Sequence, residues 1–220
     1  MTIWFASGNT HKKKELAAIL DAAAGNHIIY ELKIPAEANL VFNPLENSGS
    51  FRENALIKAA ELYALLNDRN CFNAGDAIIA DDSGLCVDAL NGRPGIFSAR
   101  YSGPPGAESQ TALNDAQKNE TLLEELAGNP RRSARFVCAM VLLFNIDRYS
   151  IVQETLEGHI VDNRGNMRGT NGFGYDPILL IPELGKTIAE LSETEKNRIS
   201  HRGKAGRVIA DILFGNYNVA

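Results

Sequence analysis

The apolar residues of this chain form two patterns, short continuous runs and stripes at helical spacing. The runs are rich in strand formers and predict short strands at residues 2–6, 28–32, 77–80 and 178–181. Apolar positions three and four residues apart predict helices over residues 51–66, 111–126 and 203–214. Another stripe predicts a helix that Asn9 or Thr10 caps; its members are Leu16, Ile19, Leu20 and Ala23.

The middle of the chain departs from a simple alternation of strands and helices. Residues 134–144 and 149–158 predict two longer strands, and the short link between them suits an antiparallel pair. The pattern Ser192-Glu193-Thr194-Glu195 matches a capping box and predicts a helix start. We therefore expect an α/β fold with a mixed central sheet and flanking helices rather than a purely parallel one. No repeat or linker divides the chain, which predicts one domain over residues 1–220.

Composition narrows the class of protein. The chain has 220 residues, 45% of them hydrophobic, which suits one domain or two lobes that share a core. A formal net charge of -5 disfavours broad nucleic-acid binding but leaves room for a local basic pocket. Cys71, Cys86 and Cys138 are odd in number and far apart, unlike a disulfide framework or a structural zinc site. No signal peptide or long apolar run is visible, so we expect a cytoplasmic protein without a membrane partner.

A polar turn at the first strand-to-helix junction is a candidate phosphate site. Helix N-termini present backbone N–H groups and a positive dipole end, glycine allows close approach, and lysine adds charge. The turn does not match the Walker pattern, and an ordinary capped turn with solvated lysines explains the same residues. Its members are Ser7, Gly8, Asn9, Thr10, His11 and Lys12.

Two adjacent carboxylates follow the strand predicted at residues 77–80. Buried charges need partners or a metal, so Asp81 and Asp82 are hard to explain by packing, although an Asp-rich turn is an alternative. Side chains alternate along a strand, which predicts that the two carboxylates point in different directions. One then binds Mg²⁺ or activates water while the other fixes the turn. Mg²⁺ commonly takes one or two protein carboxylates, and Glu46 and Glu53 compete as the second ligand.

A glycine-rich loop near residue 173 suits recognition of a planar base. Phe173 and Tyr175 offer an aromatic face, and Asp176 accepts hydrogen bonds from base N–H groups. A plain hairpin connection is the alternative. Considered with the carboxylates and the polar turn, the loop indicates a nucleotide-binding enzyme that depends on a metal.

A basic cluster precedes the last predicted helix. Lys196, His201 and Arg202 suit a planar or anionic group, because arginine binds such groups in a bidentate manner. A solvated basic face is the usual explanation for such a cluster. The residues alone leave both interpretations open.

Six motifs occur in order along the chain and cover nearly all of it. They are Ser7-Gly8-Asn9-x-x-Lys12-x-x-Glu15, Phe51-x-Glu53-Asn54-Ala55, Ala80-Asp81-Asp82-Ser83-Gly84-Leu85, Pro94-Gly95-x-x-Ser98-Ala99-Arg100-Tyr101, Gly172-Phe173-Gly174-Tyr175-Asp176-Pro177 and Ser200-His201-Arg202-Gly203. Together they resemble the inosine triphosphate pyrophosphatase family, also described as dITP/XTP pyrophosphatases. Six ordered motifs are far more specific than a single glycine loop.

The resemblance implies an elongated α/β protein with two lobes around a substrate cleft, usually a homodimer. It makes Asp82 the proton acceptor and a metal ligand, with Glu46 as the other ligand. Glu53 competes because the loop around Glu46 looks longer than the family's. The implied substrate contacts are Ser7, Gly8, Asn9, Thr10, His11, Lys12, Ser83, Phe173, Gly174, Tyr175, Asp176, Lys196, His201 and Arg202.

The activity that the resemblance implies is Mg²⁺-dependent hydrolysis of ITP, dITP and XTP to the monophosphate and pyrophosphate, which cleanses the nucleotide pool. A pocket that donates to a 6-oxo oxygen discriminates against adenine, whereas no residue is assigned to the rejection of guanine. The rival enzyme is a Maf-type pyrophosphatase, whose Ser-Pro-Arg-Arg opening is replaced here by Ser7-Gly8-Asn9. A regulatory module without turnover is the rival class, and the intact Asp81-Asp82 pair argues against it.

Overall fold

The computed structural model describes residues 1–25, 28–104 and 112–215. The strands and helices of the described chain are, in order, β1 Thr2–Phe5, α1 Thr10–Ala24, β2 Glu31–Lys33, α2 Phe51–Asp68, β3 Ala77–Val87, α3 Asp115–Glu125, β4 Ser133–Asn145, β5 Arg148–Ile160, β6 Leu179–Ile181, β7 Lys186–Thr187, α4 Glu193–Ile199 and α5 His201–Phe214. Short 3₁₀ helices include Pro35–Ala38 and Gly95–Arg100. None of the helices in these ranges is both long and apolar enough to cross a bilayer.

The strands form a mixed sheet in the order β2-β1-β3-β4-β5-β6-β7. Strand β1 runs parallel to β2 and β3, whereas β6 runs antiparallel to β5 and β7. Strands β4 and β5 are neighbours joined by only two residues, and so short a link requires an antiparallel hairpin. The mixed α/β sheet that the sequence predicts is confirmed.

The chain divides into two compact units, and β3, β4 and β5 contribute residues to both. The first unit contains the described residues of Met1–Asp82, Cys138–Glu154 and His201–Ala220, and the second contains those of Ser83–Val137 and Thr155–Ser200. Two lobes are what the family resemblance implies.

The first unit has helices on both faces of its part of the sheet. Alternate residues of β1 and β3, such as Phe5 and Ile79, pack with α1 and α5. The residues between them, such as Trp4 and Ile78, pack with α2. Because helices cover both faces of the sheet, the sequences of these strands are continuous apolar runs rather than alternating apolar and polar residues.

The second unit has its own apolar core. The core combines the end of β3, the start of β4 and the end of β5 with α3 and β6. Tyr175 and Leu191 also belong to it, so the glycine-rich loop and the approach to α4 are anchored by buried side chains.

Most predicted elements are confirmed within one to three residues, including α1 with Asn9 as its N-cap and the capping box at Ser192. Strand β2 is shorter than predicted, α5 begins at His201 rather than at residue 203, and β7 was not predicted. Helix α3 begins at Asp115, and the predicted start at Thr111 lies outside the described residues.

Candidate active site

Asp81 and Asp82 lie in the middle of a strand, which corrects the prediction that they end one. Strand β3 continues from Ala77 to Val87 without a break, so the Asp-rich turn is wrong. Gly84 provides the physical reason. A Cβ there would overlap the Gly95 carbonyl oxygen and Ser98 Oγ, so glycine lets the strand continue beneath the 3₁₀ helix.

The two aspartates point to opposite faces of the sheet, as the alternation of strand side chains predicts. Asp81 is fully buried on the face that packs with α1 and α5. Lys12 Nζ of α1 lies 3.0 Å from Asp81 Oδ2, and Arg202 of α5 donates to the same oxygen from Nε at 3.2 Å and from Nη2 at 2.9 Å. Arg202 also donates from Nη1 to Glu15 Oε2 at 2.6 Å.

The charges around Asp81 keep it ionised. Burial raises the pKa of this carboxyl, but Lys12 and Arg202 lower it by more, so the pKa lies below its ordinary value. A carboxylate with a lowered pKa that is held by two cations is a poor proton acceptor. The ion pairs of Asp81 therefore suit a structural role, and a catalytic role for Asp82 stays a prediction.

Asp82 faces α2, where two side chains hold it. Asn54 Nδ2 donates to Asp82 Oδ2 at 2.9 Å, and Lys58 Nζ lies 3.6 Å from Asp82 Oδ1. Asn54 and Lys58 are four residues apart and so share one face of the helix. Lys58 also donates to Glu46 Oε1 at 2.9 Å, so a single ammonium joins Glu46 to Asp82.

The pKa of Asp82 is shifted in the opposite direction from that of Asp81. Burial raises the pKa of Asp82 above its ordinary value, and the Lys58 charge with the Asn54 hydrogen bond offsets only part of that rise. Burial lowers the pKa of Lys58, but the charges of Asp81, Asp82 and Glu46 raise it by more, so Lys58 is firmly cationic. Two adjacent aspartates with pKa values shifted in opposite directions are typical of a site that divides acid–base roles.

These charged residues, which we call the ionic cluster, all belong to the first unit. The cluster holds four carboxylates and three cations among its described residues: Glu15, Glu46, Asp81 and Asp82 with Lys12, Lys58 and Arg202. Each carboxylate of the ionic cluster lies against at least one of these cations.

The polar turn before α1 is a capped helix start. Asn9 Oδ1 accepts a hydrogen bond from the Lys12 backbone N–H at 3.1 Å, and the Asn9 N–H donates to Ser7 Oγ. Gly8, Thr10 and His11 are exposed. The capped turn is confirmed, and phosphate binding by these residues stays a prediction.

The glycine-rich loop of the second unit does not present both of its aromatic rings. Tyr175 is 4% exposed, its ring lies in the core, and its hydroxyl donates to the Ser98 carbonyl at 2.9 Å. A stacking face that includes Tyr175 is therefore wrong for this structure. Phe173 is half-buried and is therefore the more exposed of the two aromatic residues.

Replacing Tyr175 by phenylalanine is expected to lower the free energy of unfolding by about 1–3 kcal/mol, because the buried Ser98 carbonyl loses its donor. Urea denaturation measures this change. Tyr149→Phe is the matched control, because Tyr149 is exposed and should give a change within about 0.5 kcal/mol. Equal, small changes in both variants would contradict the buried hydrogen bond.

Asp176 and Lys196 form a buried ion pair beside Phe173. Lys196 Nζ donates to Asp176 Oδ2 at 2.8 Å and lies 5.0 Å from the centre of the Phe173 ring, within cation–π range. The Phe173 N–H donates to the same carboxylate oxygen at 2.9 Å. Gly172 has φ +78°, and a Cβ there would overlap Asp176 Oδ2, so only glycine fits.

Helix α3 binds the glycine-rich loop at Gly174. Asp115 Oδ2 accepts a hydrogen bond from the Gly174 N–H at 2.7 Å, and Asn119 Nδ2 donates to the Gly174 carbonyl at 3.0 Å. Both polar groups of this left-handed glycine are thus fixed by one helix. The conformation of the loop is set by its surroundings and not by the loop alone.

The predicted basic cluster is not a solvated face. Lys196, His201 and Arg202 are all buried, and the structure places them in different settings. Lys196 pairs with Asp176 in the second unit, whereas His201 and Arg202 open α5 in the first. Ser83 is half-buried on β3, next in the chain to Asp82. Substrate contacts by these residues stay predictions.

Comparison with known proteins identifies the family of this chain. Residues 3–212 match the model of the Ham1 family. This chain belongs to the Ham1 family. A dITP/XTP pyrophosphatase of Treponema denticola is 43% identical over 216 residues, which are 98% of this chain and all of that protein. A solved HAM1 protein from Coxiella burnetii matches with a TM-score of 0.78 at 34% identity, over 98% of this chain and 99% of that one. The Ham1 protein of Staphylococcus aureus matches with a TM-score of 0.77 at 34% identity, over 99% and 100% of the two chains.

Several residues at this Ham1 site were not predicted from the sequence. Lys58 was missed because a lysine inside an amphipathic helix is normally expected to have a solvated side chain. Its place four residues after Asn54, on the stripe that buries Ala55 and Ala59, was the available signal. Asp115 and Asn119 carried no signal, because their partner Gly174 is more than fifty residues away.

Proposed function

We propose that this chain hydrolyses deaminated purine nucleoside triphosphates, namely dITP, ITP and XTP, to the monophosphate and pyrophosphate, and so removes them from the nucleotide pool. Relatives named dITP/XTP pyrophosphatase, each 43% identical over essentially their whole length, support the reaction class. The observation that carries the proposal is the convergence of Glu46 and Asp82 on a single cation, Lys58.

The residues present fit a divalent metal. Glu46 and Asp82 already lie against one ammonium, so two carboxylates approach a common cation position, and Mg²⁺ needs one or two of these plus phosphate oxygens. Glu53 is exposed in the first turn of α2, which favours Glu46 over Glu53 as the partner of Asp82. When bound, Mg²⁺ would neutralise charge on the phosphates.

The protein's own part in hydrolysis centres on Asp82. A water molecule attacks the α-phosphorus, the bond from that phosphorus to the bridging oxygen breaks, and pyrophosphate leaves. Asp82 accepts the proton of the attacking water, a role that its raised pKa favours. Asn54 holds one oxygen of Asp82 and thereby fixes the orientation of the carboxylate. Lys12 and the turn before α1 supply positive charge and backbone donors for phosphate.

The second unit, considered by itself, contains groups that suit a purine base. The half-buried Phe173 ring suits stacking, and the Lys196–Asp176 pair places a donor and an acceptor next to it. A 6-oxo purine matches a donor better than adenine does, because an amino group there leaves the donor unpaired. The cytoplasmic location, the homodimer and the absence of nucleic-acid or membrane partners stay predictions.

Phosphate release from dITP, ITP, XTP, GTP, ATP and CTP tests the proposal. Each reaction is run with and without Mg²⁺ while chromatography measures the nucleoside monophosphate directly, and, in Mg²⁺, with and without added inorganic pyrophosphatase. We expect preference for the first three substrates, monophosphate only when Mg²⁺ is present, and phosphate only when the coupling enzyme is present. Phosphate without the coupling enzyme would mean a different bond is cleaved, and equal turnover of all six would remove the base-selective site.

A further inference from the structure

Lys58 lies where two carboxylates meet. Its side chain is 6% exposed, and its ammonium is 2.9 Å from Glu46 Oε1 and 3.6 Å from Asp82 Oδ1. The second oxygen of Asp82 is taken up by Asn54. Lys58 and Asn54 therefore contact different oxygens of Asp82.

A divalent cation and this ammonium cannot occupy the same position between Glu46 and Asp82. Mg²⁺ binds oxygen ligands at about 2.0–2.1 Å in an octahedral arrangement and brings two positive charges. An ammonium held among the same carboxylates would be in steric and electrostatic conflict with it. Either the metal binds elsewhere, or Lys58 moves.

We propose that Lys58 is an internal countercation that holds Glu46 and Asp82 in the metal-free protein and gives up this place when the divalent cation binds. The inference rests on the proposed function, because that function supplies the metal. Lys58 and the metal then compete for the same pair of carboxylates.

The surroundings of Lys58 suit such an exchange. A lysine side chain rotates about four bonds, so its ammonium can leave while α2 stays in place. Asn54 keeps Asp82 oriented in the meantime, and its Oδ1 also accepts hydrogen bonds from the N–H and Oγ of Ser48. The loop that carries Glu46 is thereby tied to the same asparagine, and the carboxylates stay near each other without Lys58. Glu46 is 30% exposed, which gives a cation access from solvent.

Mn²⁺ binding to the full chain without nucleotide, followed by electron paramagnetic resonance, tests the competition. Lys58→Met is compared with wild type and with Lys12→Met, which also removes a cation from the ionic cluster but one that contacts Asp81 instead. We expect Lys58→Met to bind Mn²⁺ at least tenfold more tightly than wild type and Lys12→Met to stay within about threefold. Three outcomes would overturn the inference. They are unchanged or weaker Mn²⁺ binding by Lys58→Met, no Mn²⁺ binding by wild type or Lys58→Met, and equal tightening in both variants.

A measurement on wild type covers the case in which Lys58→Met does not fold. Acetic anhydride labelling with mass spectrometry compares the reactivity of Lys58 with and without Mg²⁺. We expect Mg²⁺ to raise the labelling of Lys58 severalfold and to leave that of the exposed Lys14 unchanged. Labelling of Lys58 that Mg²⁺ does not alter would refute its displacement. Turnover that needs no divalent cation would instead refute the metal in the proposed function, so the two failures are distinguishable.

Discussion

Asp82→Asn is expected to slow hydrolysis of dITP by about 10²- to 10⁴-fold, the usual contribution of a positioned general base. The amide keeps the shape of the side chain and its contact with Asn54 on one side, but it cannot accept the proton of the attacking water. It is also a weaker metal ligand than a carboxylate. Steady-state kinetics measures the loss, and we expect it mainly in kcat because the base-recognition groups belong to other residues.

Asp147→Asn is the matched control for this variant. Asp147 is an exposed carboxylate in the β4–β5 turn, so its loss should leave kcat within about twofold. Affinity for a dITP analogue with a non-hydrolysable α,β-bridge should fall far less in Asp82→Asn than turnover does. Turnover close to that of wild type would remove Asp82 from its proposed role, whereas equal losses of affinity and turnover would make it a binding residue only.

The sequence predicted that the side chains of the two adjacent aspartates point in different directions, because this depends only on local strand geometry. Side chains alternate along any strand, and Asp81 and Asp82 contact different helices as a result. The length of β3 could not be predicted from the sequence, because the polar stretch Asp81-Asp82-Ser83-Gly84 resembles a turn. Gly84 lies directly against the 3₁₀ helix at Gly95–Arg100, and this contact between distant segments is visible only in the folded chain.

The partners of the site residues were beyond prediction for a related reason. Phe173 and Tyr175 look equivalent in the sequence, two aromatic residues in one glycine-rich loop. Only the packing distinguishes them, because the Tyr175 hydroxyl reaches Ser98 while the Phe173 ring lies beside Lys196. The order of the motifs identified the segments that carry the candidate site residues. Contacts between residues far apart in the sequence, however, determine the burial and the partners of each side chain.

Arg202→Met is expected to lower the free energy of unfolding by about 3–5 kcal/mol, the usual cost of removing one partner of a buried ion pair. Arg202 is 2% exposed and donates to both Asp81 and Glu15. Methionine preserves much of the volume but leaves Asp81 buried with Lys12 as its remaining close cation. Urea denaturation at neutral pH measures the change, and an unaltered m-value would show that the unfolded state is unaffected.

Two further variants distinguish the effect of breaking a buried ion pair from the effect of removing any arginine. Arg135 also bridges two carboxylates, Asp88 and Glu157, but at 35% exposure, so Arg135→Met should cost no more than about 1 kcal/mol. Asp81→Asn combined with Arg202→Met removes both charges of the buried pair and should cost less than the sum of the single variants, because neither charge is then left without its partner. Additive losses would mean that the pair is not coupled. A small loss in Arg202→Met alone would mean that Lys12 compensates the charge of Asp81 by itself.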